Sequence, residues 1–328
     1  MLNYKSMDII DIYKNSQSHK IVSLDKSRGM LSHAYLIECA DRFLLNHYCM
    51  LVAKEIFCLD TDTPCEKCIA CQKVEHSNMV DLKIYPKEKN IVVDDVCEIV
   101  SDSIQRPMDS KYKVYILKDF DEATVQSQNK LLKTLEEPPQ NVIFILTASS
   151  IGSVLQTIKS RVKTISEPLL DRDVATEFLN EQKVRNPRSV ATISGGNIDV
   201  AFKFANSSDS ENIINLVFET MIELRTSADI LRFSSKILAL KKDFTYFLDT
   251  FIMLLRDISV CNVPELVAFQ DRKKDIEMLS KGLSKKAIEL ITERLCEIYN
   301  KLEFNCNLTG IVDQMLLDIL EVKFLCQK

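Results

Sequence analysis

Between Gly29 and Gly152 the chain contains no glycine at all. That gap excludes a glycine-rich phosphate cradle after the first strand, where glycines would let backbone amides converge on an anion. No run of eighteen apolar residues occurs in the 328 residues, so no membrane-spanning helix is expected. The opening stretch from Met1 to Asp8 lacks the apolar core of a secretory leader, which makes the cytoplasm the expected location. Charge of one sign is not in large excess. A net charge of −5 argues against wrapping nucleic acid by bulk electrostatics and leaves room only for a local basic patch. Hydrophobic and charged contents of 46% and 27% are those of an ordinary globular protein, long enough for two or three domains.

Cysteine, by contrast, is plentiful. The eleven cysteines are odd in number, and Cys58, Cys65, Cys68 and Cys71 cluster as C-x6-C-x2-C-x2-C. In a reducing compartment that spacing favours a metal over disulfides. Four thiolates can close a tetrahedron around Zn²⁺ with no open position, which makes the expected site structural. An iron–sulfur reading also begins C-x2-C-x2-C, but it continues with a fourth cysteine and proline where Glu75 and His76 stand here. His76 reads as a turn residue before Asp81, not as a ligand. Cys97, Cys296 and Cys326 read as small core residues, and Met253 and Met278 as core positions of later helices.

The first half alternates strand and helix. Strands are expected at 34–38, 81–85, 113–119, 141–147 and around Thr164-Ile165. Helices are expected from about Asp41 to Phe57 and along the face Val96, Ile99, Val100, Ser103 and Ile104. Leu131, Leu132 and Leu135 form a third apolar stripe, halted by Pro138-Pro139, which cannot continue a helix. This alternation predicts a parallel sheet covered on both faces, with sites at its carboxyl edge. After Pro168 the pattern is helical, interrupted at Ser194-Gly195-Gly196, with a polar linker candidate at 206–210. The expected fold class is α/β plus all-α.

The order of these segments resembles the clamp-loader branch of the AAA+ ATPases. The resemblance runs from Ser27 to Arg161 and rests on His33-Ala34, the cysteine cluster, the Asn129–Pro139 segment and the Thr157–Arg161 segment. It implies a P-loop-like AAA+ domain over 1–167 with a zinc insertion at about 58–76. A helical lid over 168–207 and a helical C-terminal collar domain over 208–328 complete the expected architecture. It further implies a heteropentameric ring with motor (gamma/tau) subunits and a delta subunit, acting on a sliding clamp and primer-template DNA, with no membrane involvement.

Three nucleotide-handling elements of that family are missing. The loop after the first strand carries Glu38, Asp41 and Arg42 in place of glycines and lysine. Phe120 splits the family's Asp-Glu pair, so only Asp119 matches the metal-holding position, where it is expected to cap or pair structurally. Asp199 stands where the family places a lid arginine. No ATP is therefore expected to bind this chain. What remains is Ser160-Arg161. The family's arginine in this motif reaches into a neighbour's ATP site as an arginine finger, with Ser160 as its motif partner, and Val162 here replaces the usual cysteine. Taken alone, Ser-Arg would read as a surface ion pair. The alternatives to a non-hydrolysing subunit are a divergent ATP-hydrolysing motor subunit and a zinc-containing adaptor outside replication.

Overall fold

Two helices, α1 (Ile9–Asn15) and α2 (Gln17–Ser27), precede β1 (Ala34–Glu38). Helices α3 (Arg42–Phe57) and α4 (Ile69–Glu75) then lead to β2 (Leu82–Tyr85), and α5 (Val93–Ser103) to β3 (Lys113–Leu117). Next come α6 (Val125–Glu136), β4 (Val142–Ala148), the short α7 (Gln156–Lys159) and β5 (Lys163–Ser166). These elements belong to a computed structural model that describes residues 8–59, 64–206, 210–303 and 307–325.

The strands form one sheet in the order β2-β3-β4-β1-β5, with every pairing parallel. All seven residues of β4 are buried, as expected of a strand covered on both faces, and this is why it reads as an unbroken apolar run. Its Ile145 pairs with Tyr35 of β1 on one side and Ile116 of β3 on the other.

The hinge between α6 and β4 follows from local chemistry. Thr124 caps α6 by accepting from the Ser127 amide at 3.1 Å, and Leu131 and Leu135 lie in the core. The helix ends at Glu136, Glu137 leaves helical geometry at φ −122° and ψ 73°, and the two prolines follow. Asn141 turns the chain at φ 63°, in the left-handed region that asparagine tolerates, and β4 begins at the next residue.

Contacts divide the chain into two compact units, Met1–Gln182 with Asn197–Asp199, and Lys183–Gly196 with Val200–Lys328. The first contains the sheet, the helices above and α8 (Arg172–Glu181). The second is helical: α9 (Pro187–Ile193), most of α10 (Ile198–Asn206), α11 (Ser210–Glu223), α12 (Ser227–Leu238), α13 (Phe244–Ser259), α14 (Lys273–Gly282), α15 (Lys285–Glu303) and α16 (Leu308–Leu325). Its core is aromatic, with Phe218, Phe233, Phe247, Phe251 and Phe269 all nearly inaccessible. The Asp257 carboxylate there accepts from the amides of Ala268 and Phe269 at 2.8 and 2.9 Å. The linker candidate is bounded by the end of α10 and the start of α11, and its residues 207–209 lie outside the described set.

Several expected core positions face outward instead. Cys97 and Cys296 are exposed, because each sits one residue, or about 100° of helix, from a stripe position such as Val96 or Leu295. Met278 is half exposed for the same reason, between the buried Ile276 and Leu279. Ile104 lies just past the end of α5 and is 76% exposed. Cys326 lies outside the described residues.

The sheet's β2 edge is tied to α5 by one carboxylate. Asp102 pairs with Lys83 and Lys113, each at 2.9 Å, and accepts from the Tyr115 hydroxyl at 2.5 Å. Burial opposes its ionisation, but these donors outweigh it and hold the Asp102 carboxyl down at about 2. A depressed carboxyl supplies stability above its unfolded value of ~3.9 and loses it as pH falls toward the folded value. Asp102→Asn should therefore melt below wild type at neutral pH. That gap should narrow between about pH 4 and pH 2. Melting curves across this range check both points, and a gap independent of pH would contradict the assignment.

Candidate functional site

Cys58 ends α3 as its C-cap, Cys68 opens α4 as its N-cap, and Cys71 lies in the first turn of α4. With Cys65 from the intervening loop, their four Sγ atoms all lie within 4.8 Å of one another. The Cys65–Cys71 and Cys58–Cys68 sulfurs are each 4.0 Å apart. That is too far for a disulfide and near the ~3.8 Å implied by tetrahedral bonds of ~2.3 Å. The Cys68 amide points at Cys65 Sγ and the Cys71 amide at Cys68 Sγ, at 3.3 and 3.4 Å. Burial raises the Cys68 thiol, yet the amides of Cys71 and Leu59 outweigh it and lower it overall, whereas burial and the neighbouring thiols push Cys71 up. The cluster can hold a metal ion. His76 ends α4 and is not among the four ligands.

At the carboxyl edge of the sheet the turn after β1 is filled by its own side chains. Asp41 is fully buried. One carboxylate oxygen accepts from the Leu44 amide of α3 at 3.1 Å, and the other from the Ile198 amide at 2.5 Å. The amides of Asp199 and Phe43 also favour its charge, although burial raises the carboxyl overall. The amide groups at the start of α3, which would face a bound anion, are thus satisfied from within the chain. Asn197 adds a bond from Nδ2 to the Ala40 carbonyl at 3.1 Å.

The neighbouring acids are equally occupied. Glu38 accepts from the Ile151 amide at 3.2 Å and from the Ser166 hydroxyl at 3.3 Å. Arg42 forms an ion pair with Glu122, and Asp121 accepts from the amides of Ser149 and Ser150 at 3.1 and 3.2 Å. Asp119 departs from expectation. It shapes the turn through its backbone, at φ 49°, and its amide donates to Thr147 Oγ1 at 3.0 Å; its side chain makes no cap bond. The capping and pairing fall to Asp121 and Glu122, because the left-handed residue ends β3 and the acids after it face the turn.

Arg161 lies two residues past α7 and two before β5, at the amino end of that strand and so on the opposite edge of the parallel sheet. Its Nη1 donates to the Thr157 carbonyl at 2.7 Å and to Ser160 Oγ at 3.1 Å, and its Nη2 lies 2.8 Å from Glu136 of α6. The side chain keeps 34% of its surface exposed. Val162 packs against the core, as the sequence suggests, and Ile158 anchors α7 at zero exposure.

Two residues of this arrangement escape a sequence reading. Gln128 is buried on α6, donates from Nε2 to the carbonyls of Ala123 and Ser153, and accepts from the Leu155 amide at 2.9 Å. It fixes the entry to α7. Glu136, eight residues further on, reaches Arg161. The only available signal was a glutamine at a stripe position, with Leu131, Leu132 and Leu135 three, four and seven residues on.

These features match known proteins in a consistent way. The sequence profile of the family described as "DNA polymerase III, delta subunit" matches residues 14–169. DNA polymerase III subunit gamma of Buchnera aphidicola subsp. Schizaphis graminum is 27% identical over 230 residues, which cover 66% of this chain and 61% of that one. A second Buchnera gamma subunit is covered over 46% of its length, so the chain spans only part of these gamma relatives. DNA polymerase III subunit delta' of Bacillus subtilis is 25% identical over 310 residues, covering 91% of this chain and 93% of the relative. A solved gamma subunit-related protein from Thermotoga maritima superposes with a TM-score of 0.43 at 19% identity, over 94% of this chain and 99% of its own.

The chain is similar to the clamp-loader subunits of DNA polymerase III. It is delta-prime-like in that its match to the delta' relative covers nearly the whole of both chains.

Two measurements test the site. Metal analysis of the purified chain should find one ion per molecule, lost in Cys68→Ser; a metal-free wild type would remove the cluster's role. Asp41→Ala should lower stability by about 2–4 kcal/mol in denaturant titrations, since it strands buried amides of two segments. A loss below ~1 kcal/mol would mean that water replaces the carboxylate.

Proposed function

We propose that this chain is the non-hydrolysing, stator-like subunit of a bacterial DNA polymerase III clamp loader, the role taken by delta prime. The observation that carries the reading is the turn after β1, where the buried Asp41 carboxylate takes the amides that a nucleotide phosphate would need. A second anion there would meet buried negative charge and no free lysine or glycine-rich backbone. At the amino end of β5 the chain carries an exposed, well-held guanidinium at Arg161, which in this reading serves a neighbour's ATP site as an arginine finger, with Ser160 supporting it.

In this role the chain is part of a nucleotidyl-transferring complex and performs no chemistry itself. It joins motor gamma/tau subunits and a delta subunit in a heteropentameric ring in the cytoplasm. The ring loads the sliding clamp onto primer-template DNA. Residues 1–167 form the AAA+ part with its insertion at about 58–76, 168–207 the lid, and 208–328 the collar through which the ring is braced. Zn²⁺ is the ion in the four-cysteine cluster, and its work is to fold the insertion, for which structural zinc can supply roughly 10 kcal/mol. Among the described residues no helix is long and apolar enough to cross a membrane, in keeping with this reading.

The similarity to gamma subunits, which reaches 27–30% identity, favours one rival: a divergent motor subunit that hydrolyses ATP. Equilibrium binding to the purified chain separates the two, because micromolar ATP affinity would overturn the stator reading. The decisive functional test is reconstitution with Arg161→Ala. The ring should still assemble, while hydrolysis at the site this residue serves falls by about 10³-fold or more, seen as reduced DNA-stimulated ATPase. Unchanged hydrolysis would remove the finger from the account.

A further inference from the structure

We propose that Glu136 is the positioning residue for Arg161, and that the end of α6 presents it there, at the amino ends of β4 and β5. The inference rests on the finger reading of Arg161 above and adds the element that aims the side chain.

A long arginine on a surface samples many rotamers, with about 2 kcal/mol of side-chain entropy to lose on being fixed. At Arg161 that freedom is already restricted by acceptors from two elements. Thr157 and Ser160 belong to α7 itself and hold Nη1, at 2.7 and 3.1 Å. Those two bonds are local, and alone they would let the guanidinium plane pivot about one nitrogen. Glu136 comes from a different element and holds the other terminal nitrogen, Nη2, at 2.8 Å. A planar group gripped at two of its corners from two directions has one orientation. A guanidinium carries five N–H donors, so this grip leaves donors for a phosphate oxygen.

Glu136 can do this because its backbone is rigid. It is the last residue of α6, directly before the residues at which the prolines halt the helix. Eight residues earlier on the same helix, buried Gln128 ties down the start of α7 through Ser153 and Leu155. One helix therefore sets both where α7 begins and how the side chain just past its end is aimed. The Glu136 side chain is 47% exposed, so its carboxylate is well solvated and removes little of the arginine's charge. What it supplies is orientation, which matters when reacting groups must meet developing charge at fixed geometry.

The test is DNA-stimulated ATP hydrolysis by the clamp loader reconstituted from motor subunits, delta and full-length versions of this chain: wild type, Arg161→Ala, Glu136→Gln, Glu136→Asp and the Arg161→Ala/Glu136→Gln double variant. Glu136→Gln should lower kcat about two- to fivefold, the range expected for an exposed ion pair, with KM for ATP unchanged. Glu136→Asp should recover part of the loss, and the double variant should match Arg161→Ala alone. Sedimentation confirms that each variant still enters the ring. If Arg161→Ala itself leaves hydrolysis unchanged, or the wild-type chain never enters the ring, the finger reading fails and this proposal with it. If Arg161→Ala lowers hydrolysis while Glu136→Gln leaves it unchanged, raises it, or adds to the loss in the double variant, only the role of Glu136 is overturned.

Discussion

Backbone amides from two separate stretches of chain converge on the Asp41 carboxylate, and no water reaches it. Helix starts leave amides without partners, and the first strand of a parallel sheet delivers just such a start to the carboxyl edge. An enzyme uses those amides to hold an anion that comes and goes. Here the anion is covalently part of the chain. The turn is closed by the chain's own groups, and residues 197 and 198 are bonded directly to it.

That closure has consequences along the rest of the edge. Asp121 and Glu122, which follow β3, are engaged with the amides after β4 and with Arg42. Asp121 clips the turn after β3 to the residues after β4 and Glu122 clips it to the start of α3, while Asp119 shapes that turn through its backbone.

The sheet could be read from the sequence because its inner strands β1, β3 and β4 are buried on both faces and so write nearly unbroken apolar runs, whereas the edge strands β2 and β5 are largely unburied and carry polar residues. Pro138-Pro139 marked the turn into β4, since proline's effect on backbone geometry is local. The convergence of the four cysteines was legible for a similar reason: they lie within fourteen residues, so spacing alone constrains them. What could not be read depends on partners distant in the chain. Whether Asp41 repels a nucleotide or fills its place is decided by Ile198, 157 residues away. The pairing of Glu136 with Arg161 crosses a strand and a helix. Cys97 and Cys296 misled because a small sulfur side chain fits either a core or a surface, and one residue of helix separates the two.

In the proposed non-hydrolysing role no bound phosphate would order the turns at this edge, and Glu38 supplies order there from within the chain. Placed at the end of β1, between β4 and β5 in the sheet order, it bonds to Ile151 just past β4 and to Ser166 at the end of β5. The segment carrying Arg161 lies between those two anchors in sequence, so both of its ends are fixed to the same side chain. The finger proposed for Arg161 would need a stiff mount, and the carboxylates that hold it are Glu38, at the two ends of this segment, and Glu136, at the guanidinium itself.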